Sequence, residues 1–248
     1  RIDPRNPQTK PPDLADRFLP GKYDAFIVGD LDSSVFSQAE LKMLAEAVGR
    51  GAGLIMLGGF HSFGPGGYGQ TPLAPVLPVQ MERLERQDLS SPIRSDLHVP
   101  GPLKMMPTPI GLRHFVLMLG GNAAASRETW EKLPPLDGAN RFVRLSPAAV
   151  VLAAAGETPL LVSQTYGTGR VMAFAADSTW HWWMEGFEAA HKRFWRQVVL
   201  WLTRKDESQE GNVWIKLVQR RLAPGRPVDF SVGAKNSSGE PVADFAAE

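Results

Sequence analysis

The sequence predicts an α/β fold built on parallel strands, and three neighbouring segments carry that prediction. Residues 23–30 form a short apolar run that ends in Gly29 and Asp30, as a buried parallel strand does. Residues 54–57 form a second run of the same kind. Between them lies a helix whose apolar face consists of Leu41, Leu44, Ala45 and Val48. A strand, a helix and a strand within about 35 residues make a βαβ unit, which is right-handed in nearly all proteins and implies a parallel sheet.

The helix of this unit has clear start and stop signals. Ser37 and Glu40 have the spacing of a capping box, in which each side chain accepts a hydrogen bond from the backbone N–H of the other residue. Three glycines, at positions 49, 51 and 53, follow the last apolar turn and predict that the helix ends there.

The remaining elements are predicted from shorter patterns. Residues 70–112 are proline-rich and irregular, which indicates either a functional loop or a cover over one edge of the sheet. We expect a short helix over residues 114–119 and then strands at 141–145, 150–154, 160–166 and 170–176, with a hairpin across Gly156. A strong amphipathic helix ends near Arg204, and its apolar face consists of Phe187, His191, Phe194, Trp195, Val198 and Leu202.

Changes in composition divide the chain into three parts. Residues 1–20 are rich in proline and charge and predict an extended lead-in. Residues 21–205 form the α/β domain. Residues 206–248 begin as a polar linker and continue as short strands at 213–218 and 228–232, a spacing typical of the first strands of an antiparallel β-sandwich that is cut off at Glu248.

Composition excludes several classes of function. The 27 lysines and arginines balance 26 acidic residues, so the chain has no electrostatic footprint for nucleic acid or for an anionic membrane. No apolar run approaches the roughly 20 residues that span a bilayer, so no direct membrane insertion is expected. The cysteine count is zero, which excludes disulfides, thiolate metal sites and thiol nucleophiles. The chain starts at Arg1 without an initiator methionine, and we interpret it as part of a longer protein.

Three segments are predicted to meet where a ligand would bind. In an open parallel sheet, ligands collect beyond the carboxyl ends of the strands, and residues 30–34, 58–69 and 177–183 all follow strands. The glycine-rich segment 58–69 has neither the Walker ending nor the Gly-x-Gly-x-x-Gly phasing of a dinucleotide site. It is interpreted as a structural loop, with an anion cradle as the alternative.

Catalytic and metal sites are possible only from a few residues. Ser62, His181 and Asp177 are candidates for the nucleophile, base and orienting acid of a hydrolase, and His61 is a further candidate, although Phe60 interrupts the Gly-x-Ser-x-Gly pattern of a nucleophile elbow. A metal set would have to come from His61, His181, Glu185, Glu188 and His191. No His-Glu-x-x-His signature is present, so half-buried structural histidines are favoured and neither a metal nor a cofactor is predicted.

Aromatic residues are concentrated near the same sheet edge. The run Trp180-His181-Trp182-Trp183 cannot point wholly inward, so part of it is expected to contact a sugar, another ligand or a partner. The predicted ligand-binding residues are Asp30, Gly59, Phe60, His61, Tyr68, Trp180 and Trp182.

Several motifs between residues 21 and 204 form a combination found in a known family. They are Tyr23-Asp24 with Asp30, Gly53 to Gly59, Ser62-Phe63-Gly64 with Gly66-Gly67-Tyr68, Leu77-Pro78-Val79, Trp130 with Leu133-Pro134-Pro135-Leu136, Gly138 and Asn140, Gly167 with Gly169-Arg170-Val171, Asp177-Ser178-Thr179-Trp180 and Phe194-Trp195-Arg196-Gln197. With these motifs the chain resembles the class I glutamine amidotransferase-like domain of large bacterial membrane-anchored proteins. It implies a flavodoxin-like three-layer sandwich. It also implies a cell-envelope location, on the periplasmic side, beside von Willebrand A-type and immunoglobulin-like domains of the same polypeptide.

The resemblance does not imply activity. Class I amidotransferases attack the glutamine carboxamide with a cysteine thiolate on an elbow after a central strand. Here the matching turn is Gly59-Phe60-His61 and holds no thiol, while His181 is a loose match to the family base. We therefore predict a non-catalytic module that binds a small molecule, a carbohydrate or the neighbouring envelope domains. The alternatives are a hydrolase or carbohydrate-active domain that uses Ser62, His61 or His181, and a spacer with a featureless crevice.

Overall fold

A computed structural model describes residues 10–206, 213–217, 230–235 and 241–242. The chain divides into two compact units, Arg1–Thr203 and Arg204–Glu248. Within the described residues, no helix combines the length and the apolar character needed to cross a bilayer.

The first unit contains most of the secondary structure. Its strands are β1 (Ala25–Val28), β2 (Gly53–Leu57), β3 (Val79–Gln80), β4 (His98–Leu103), β5 (Met106–Pro107), β6 (Leu136–Asn140), β7 (Arg144–Leu145), β8 (Val150–Ala155), β9 (Thr158–Tyr166) and β10 (Gly169–Phe174). Its α-helices are α1 (Leu14–Arg17), α2 (Gln38–Gly49), α3 (Ala123–Lys132), α4 (Trp180–Met184) and α5 (Glu188–Leu202).

The central sheet has six strands in the order β1-β2-β10-β9-β8-β5. The pairs β1–β2 and β2–β10 are parallel, which confirms the predicted βαβ unit. The other three pairs are antiparallel, so the expected mostly parallel sheet is present only on the side of β1, β2 and β10. The sheet is mixed because tight turns at Gly156 and Gly167, rather than crossover helices, join β8, β9 and β10. The hairpin across Gly156 is confirmed.

Helices cover both faces of this sheet and make three layers. Successive residues of β2 alternate between two hydrophobic cores, because neighbouring strand side chains point to opposite faces. Leu54 and Met56 join the core on the α2 side, and Ile55 joins the core on the side of α3 and α5. The α2-side core includes Leu41, Leu44, Val48, Val171 and Ala173. The other core includes Trp130, Leu160, Phe174, Trp182, Phe194, Val198 and Leu202.

The start of α2 follows the predicted capping box. The Glu40 backbone N–H donates to the Ser37 hydroxyl at 3.2 Å, and the Ser37 backbone N–H donates to the Glu40 carboxylate at 2.7 Å. Lys10 adds an ion pair to the same carboxylate at 2.6 Å. These contacts fix the point at which α2 leaves the loop after β1.

Several predicted elements differ from the observed ones. The helix expected over residues 114–119 consists of 3₁₀ turns at Gly111–Arg113 and Phe115–Leu117. Of the strand expected at 141–145, only β7 is present, and it pairs with β3. Strand β6 precedes the predicted range and pairs with β4 in a small separate sheet. Helix α3 was not predicted, because only Ser126 and Trp130 are buried along it and it has no apolar stripe. The predicted extended lead-in contains α1, whose Leu14 packs into the α2-side core; residues 1–9 lie outside the described residues.

The second unit contains β11 (Val213–Leu217), β12 (Phe230–Lys235) and β13 (Pro241–Val242). These strands form a three-stranded antiparallel sheet in the order β11-β12-β13. Strands are thus present within the predicted ranges 213–218 and 228–232 and pair antiparallel, although the second continues to Lys235. Residues 218, 228 and 229 lie outside the described residues. The larger sandwich stays a prediction.

Candidate functional site

A cleft of about 230 Å³ lies beyond the carboxyl ends of β2 and β10. It is closed on the other side by β4 and β6. Strand β4 lies in the segment 70–112 that was predicted to be irregular, and no element was predicted at the position of β6. Its lining residues are Gly59, Phe60, His98, Val99, Pro100, Asp137, Gly138, Ala139, Asn140, Ala175, Ala176 and Asp177. The position is the one predicted for ligand binding in a sheet with parallel central strands.

The ends of β2 and β10 touch backbone to backbone at the floor of this cleft. The Gly58 N–H donates to the Ala176 carbonyl at 3.3 Å. A Cβ placed on Gly58 would lie 1.9 Å from the Ala175 carbonyl oxygen, which no side chain tolerates. Glycine is therefore required here by space, and the two strand ends have a fixed separation.

Asn140 holds the next residue, Gly59, by its backbone. The Asn140 Oδ1 accepts from the Gly59 N–H at 2.9 Å, and the Asn140 Nδ2 donates to the Gly59 carbonyl at 3.0 Å. The Asn140 N–H in turn donates to the Ala175 carbonyl at 2.8 Å. Asn140 is buried, and its side chain and backbone together join β6 to the turn after β2 and to the residue that follows β10.

Asp30, which follows β1, accepts a hydrogen bond from the same turn. Its Oδ1 accepts from the His61 N–H at 2.6 Å and lies 4.0 Å from the His61 Nδ1. Gly59 has a φ of +153°, and a Cβ there would lie 2.4 Å from the Asp30 Cγ. The predicted residues Asp30, Gly59 and His61 do come together, and their backbone contacts fix the turn that carries Phe60.

Ser62, the candidate nucleophile, is buried away from the cleft. Its side chain has no solvent exposure, and its hydroxyl donates to the Gly29 carbonyl at 3.3 Å. His181 does not bond Asp177; its Nε2 bonds Asp137 at 2.9 Å. In the described part of the chain, no hydrogen bond links Ser62, His181 and Asp177, so the residues of the predicted triad do not form one.

Two predicted ligand-binding side chains lie in the core instead. Trp182 is fully buried and its Nε1 donates to the Pro134 carbonyl at 3.0 Å. Tyr68 is fully buried and its hydroxyl donates to the Leu31 carbonyl at 2.7 Å. Burial, followed by the nearby charge of Asp32, raises the Tyr68 pKa far above its usual value, so the hydroxyl stays a neutral donor.

Two aromatic rings near the cleft are exposed to solvent. Phe60 is 49% exposed and lines the cleft. Trp180 is 53% exposed and stacks on the His181 ring at a centroid distance of 3.7 Å. Because His181 is bonded to the cleft residue Asp137, the Trp180 ring is linked to the cleft through that histidine. Phe60 and Trp180 are thus the predicted aromatic residues that a ligand could reach.

The cleft has a negative character. The pKa of the Asp177 carboxyl is raised above its ordinary value. The main cause is partial burial, followed by the negative charge of Asp30 and then that of Asp137. Among the described residues Asp177 forms no ion pair, and none of the side chains that line the cleft is a lysine or an arginine. Among the described residues, the cleft lining thus holds the carboxylates of Asp137 and Asp177 and no lysine or arginine.

His98 contributes an unused hydrogen-bond acceptor. Its Nδ1 lies 2.9 Å from the Arg94 carbonyl oxygen, and since a carbonyl only accepts, Nδ1 carries the hydrogen. The Nε2 atom is then an acceptor, and it is buried without a partner. The ring lies 5.4 Å from the Phe60 ring. Sequence reasoning missed His98, Asp137 and Asn140, although Asn140 is one of the motif positions quoted above.

The residues considered as metal ligands do not gather into a site. Among the described residues, no group of three or more histidine and acidic side chains is arranged to hold a metal ion. His191 packs edge-on against Trp183 at 5.9 Å, and burial lowers its pKa. Glu188 pairs with Lys192.

A larger pocket of about 340 Å³ lies away from the strand ends. Arg86 lines it and is already neutralised by the buried Asp32 at 3.0 Å. The glutamines at the rim, Gln38 and Gln70, are exposed, so this pocket is a polar surface hollow.

Comparison with known proteins agrees with the fold. Residues 22–204 match the family model described as "Putative glutamine amidotransferase". The solved structure of cytoplasmic protein STM1381 from Salmonella typhimurium LT2 superposes with a TM-score of 0.58 at 26% identity, covering 81% of this chain and 80% of that one. Cytoplasmic protein STM3548 from Salmonella typhimurium gives 0.56 at 23% identity, covering 77% and 75%. A structure titled glutamine amidotransferase gives only 0.37 at 18% identity, covering 72% and 81%. No curated protein gives a significant match.

Proposed function

This chain belongs to the glutamine amidotransferase-like family, and from that premise we propose that it is a non-catalytic member that binds a small polar ligand in the cleft beyond β2 and β10. The observation that carries the proposal concerns the turn Gly59-Phe60-His61 after β2. Asn140 and Asp30 hold this turn by its backbone, and it contains no thiol. The chain contains no cysteine at all.

The missing thiol removes the first step of amide hydrolysis. That step needs a thiolate held ionised beside a base, and a serine hydroxyl is a far weaker attacker unless a base and two amide donors are aligned on it. Ser62 is buried and its hydroxyl is bonded to the Gly29 carbonyl. A serine hydrolase is therefore not part of the proposal.

Binding is supported by what the cleft retains. Asn140 and Asp30 hold the turn rigidly, Phe60 offers an exposed ring, and Asp137 and Asp177 offer carboxylates. A few polar groups around an apolar wall are the usual composition of a small-molecule site. A spacer domain would have no use for such a cleft.

The loss of catalysis is tested with the purified chain and glutamine. We expect no ammonia above that released by the heat-denatured chain, while a cysteine-containing class I amidotransferase releases it under the same conditions. A fluorophosphonate probe should leave Ser62 unlabelled in the folded chain. Ammonia release or labelled Ser62 would contradict the proposal.

The binding role is tested by screening small polar compounds for a rise in the thermal midpoint. A hit should lose its effect in Phe60→Ala and keep it in Leu84→Ala, which removes an exposed apolar side chain outside the cleft. Compounds that raise the thermal midpoint of Phe60→Ala as much as that of the unmodified chain would bind elsewhere, and would contradict the assignment of this cleft.

The compartment stays a prediction from the family resemblance, namely the cell envelope beside neighbouring domains of the same polypeptide. The two solved relatives carry the name cytoplasmic protein. Protease treatment of spheroplasts from the native host, followed by immunodetection of this chain, decides between the two locations. Digestion supports the periplasmic side.

A further inference from the structure

We propose that β1 pairs with β1 of a second copy of this chain, so that the central sheets of the two copies become one continuous sheet. The pairing is antiparallel and has two-fold symmetry, with Phe26 of each copy opposite Phe26 of the other. None of the residues that line the cleft belongs to β1, so this inference is independent of the proposed binding function.

The backbone of β1 gives the first argument. Strand β1 lies at one end of the central sheet, and among the described strands it pairs only with β2. The Asp24 carbonyl accepts from the Gly53 N–H at 2.9 Å, so the carbonyl of Asp24 faces β2. Because the backbone groups of successive strand residues alternate between the two edges, those of Ala25 and Ile27 face away from β2. Within the described chain no other segment forms a hydrogen bond with them.

The two ends of the sheet differ in how they are protected against a further strand. Strand β5, at the other end, has only two residues, and one of them is Pro107. Short edge strands and prolines are common devices that prevent strand addition. Strand β1 has the sequence Ala-Phe-Ile-Val, without a proline or a charged residue. Its outer edge is therefore a template for another strand.

Apolar side chains flank this edge on both faces of the sheet. Ile27 is 54% exposed, and it lies on the same face as Ala25, which packs against the core on the α5 side. Tyr23 is 49% exposed, and its ring lies edge-on to that of Phe26 on the α2 side. An added strand would contact apolar groups on both faces, so it must itself be apolar on both. Strand β1 meets this requirement, because all four of its residues are apolar.

Symmetry and charge together select one register. Only residues whose backbone groups face the partner exchange hydrogen bonds across an antiparallel pair. With Ala25 opposite Ile27 of the second copy, both residues of each strand form such bonds. The same register brings the exposed Lys22 towards the exposed Asp30 of the second copy. With Ile27 opposite Ile27, Asp24 would approach Asp30 and two carboxylates would repel each other. With Ala25 opposite Ala25, no opposite charges would meet.

Sedimentation equilibrium of the full chain over a range of concentrations measures the pairing. We expect a reversible dimer. Ile27→Lys adds a charge at the paired edge and should raise the dissociation constant of the dimer at least about tenfold. Val150→Lys is the matched control, because Val150 is an exposed strand residue in β8, on the other side of the sheet, and should leave the constant unchanged. Thermal midpoints show that both variants remain folded.

Single cysteines test the register, because the chain has none of its own. In Phe26→Cys the two introduced residues form a non-hydrogen-bonded pair with Cα atoms about 4.5 Å apart, which a disulfide can bridge. In Ile27→Cys the two residues are diagonal neighbours about 7 to 8 Å apart, which is too far. Oxidation should therefore link Phe26→Cys into covalent dimers and leave Ile27→Cys unlinked.

Hydrogen exchange distinguishes a second copy from other occupants of the edge. The Ala25 and Ile27 amides should exchange slowly in the dimer and fast after dilution, while the Phe26 amide, which faces β2, stays protected. A monomer at every concentration with fast exchange at both amides would overturn the inference. Slow exchange in a monomer would show that another segment of the same chain covers the edge, and would overturn it too. A dimer that persists in Ile27→Lys would place the contact on another face.

Discussion

The buried Asn140 side chain holds both backbone polar groups of Gly59, so its loss should be costly. Asn140→Ala would remove both hydrogen bonds to Gly59 and leave its partly buried N–H and C=O without these partners. We expect the free energy of unfolding to fall by about 3 kcal/mol, measured by urea denaturation. The exposed Gln70→Ala should change it by less than about 0.5 kcal/mol. Equal effects of the two substitutions would mean that the hydrogen bonds between Asn140 and Gly59 add nothing to stability.

Asp177 should be a residue at which binding and stability oppose each other. Its pKa in the folded chain lies above the value of 3.8 for a free aspartate, so the folded state holds the proton more tightly. Above the raised pKa the ionised carboxylate therefore destabilises the fold. This penalty falls as pH falls through the raised pKa, and it disappears near 3.8, where the unfolded chain is protonated as well.

The expected result is that Asp177→Asn raises the thermal midpoint near neutral pH. The gain should shrink in acidic buffer as the wild-type carboxyl takes up its proton. Glu157→Gln serves as the control for a general effect of removing one negative charge. A gain that is the same at both pH values would show that charge repulsion is not its cause.

At the scale of elements, the close contact of the β2 and β10 ends should be intolerant of any side chain. Gly58→Ala would drive a methyl group into the Ala175 carbonyl. We expect a loss of at least about 3 kcal/mol in unfolding free energy. Gly29→Ala is the matched control, because Gly29 also follows a strand but has no atom within 4 Å of its Cβ position. It should change stability by less than about 1 kcal/mol.

The elements that could be predicted are those with strong local signals. Helix α2 has a capping box, an apolar stripe and terminal glycines, and β9 and β10 are long apolar runs on either side of a glycine turn. By contrast, β4 contains two prolines and a glycine, and its pairing with β6 depends on residues far away in the chain. Local pattern cannot supply such a partner, so the sequence predicts for residues 70–112 only a functional loop or a cover over one edge of the sheet.

At the scale of the whole molecule, the first unit should fold without the second. Both hydrophobic cores consist only of residues between Leu14 and Leu202. A chain ending at Lys205 should therefore keep the thermal midpoint of the first unit within about 3 °C, measured by circular dichroism against the full chain. A drop well beyond that range would show that the two units stabilise each other.

The location of the site could be predicted, but its composition only in part. Topology alone places Asp30, Gly59 and Asp177 at one edge, because the parallel strands before them end there. His98 and Asp137 enter the cleft from β4 and β6, whose pairing was not predictable. Tyr68 and Trp182 were misassigned because burial decides whether an aromatic residue packs in a core or meets a ligand, and sequence does not reveal burial at a single position.

The two carboxylates that line the cleft also bear on any attempt to install a nucleophile there. A cysteine introduced at Phe60 would share the cleft with Asp137 and Asp177, whose negative charge favours the protonated sulfhydryl over its reactive anion. Engineering an amide-cleaving thiolate into this turn would therefore require removal of those carboxylates as well as the single substitution.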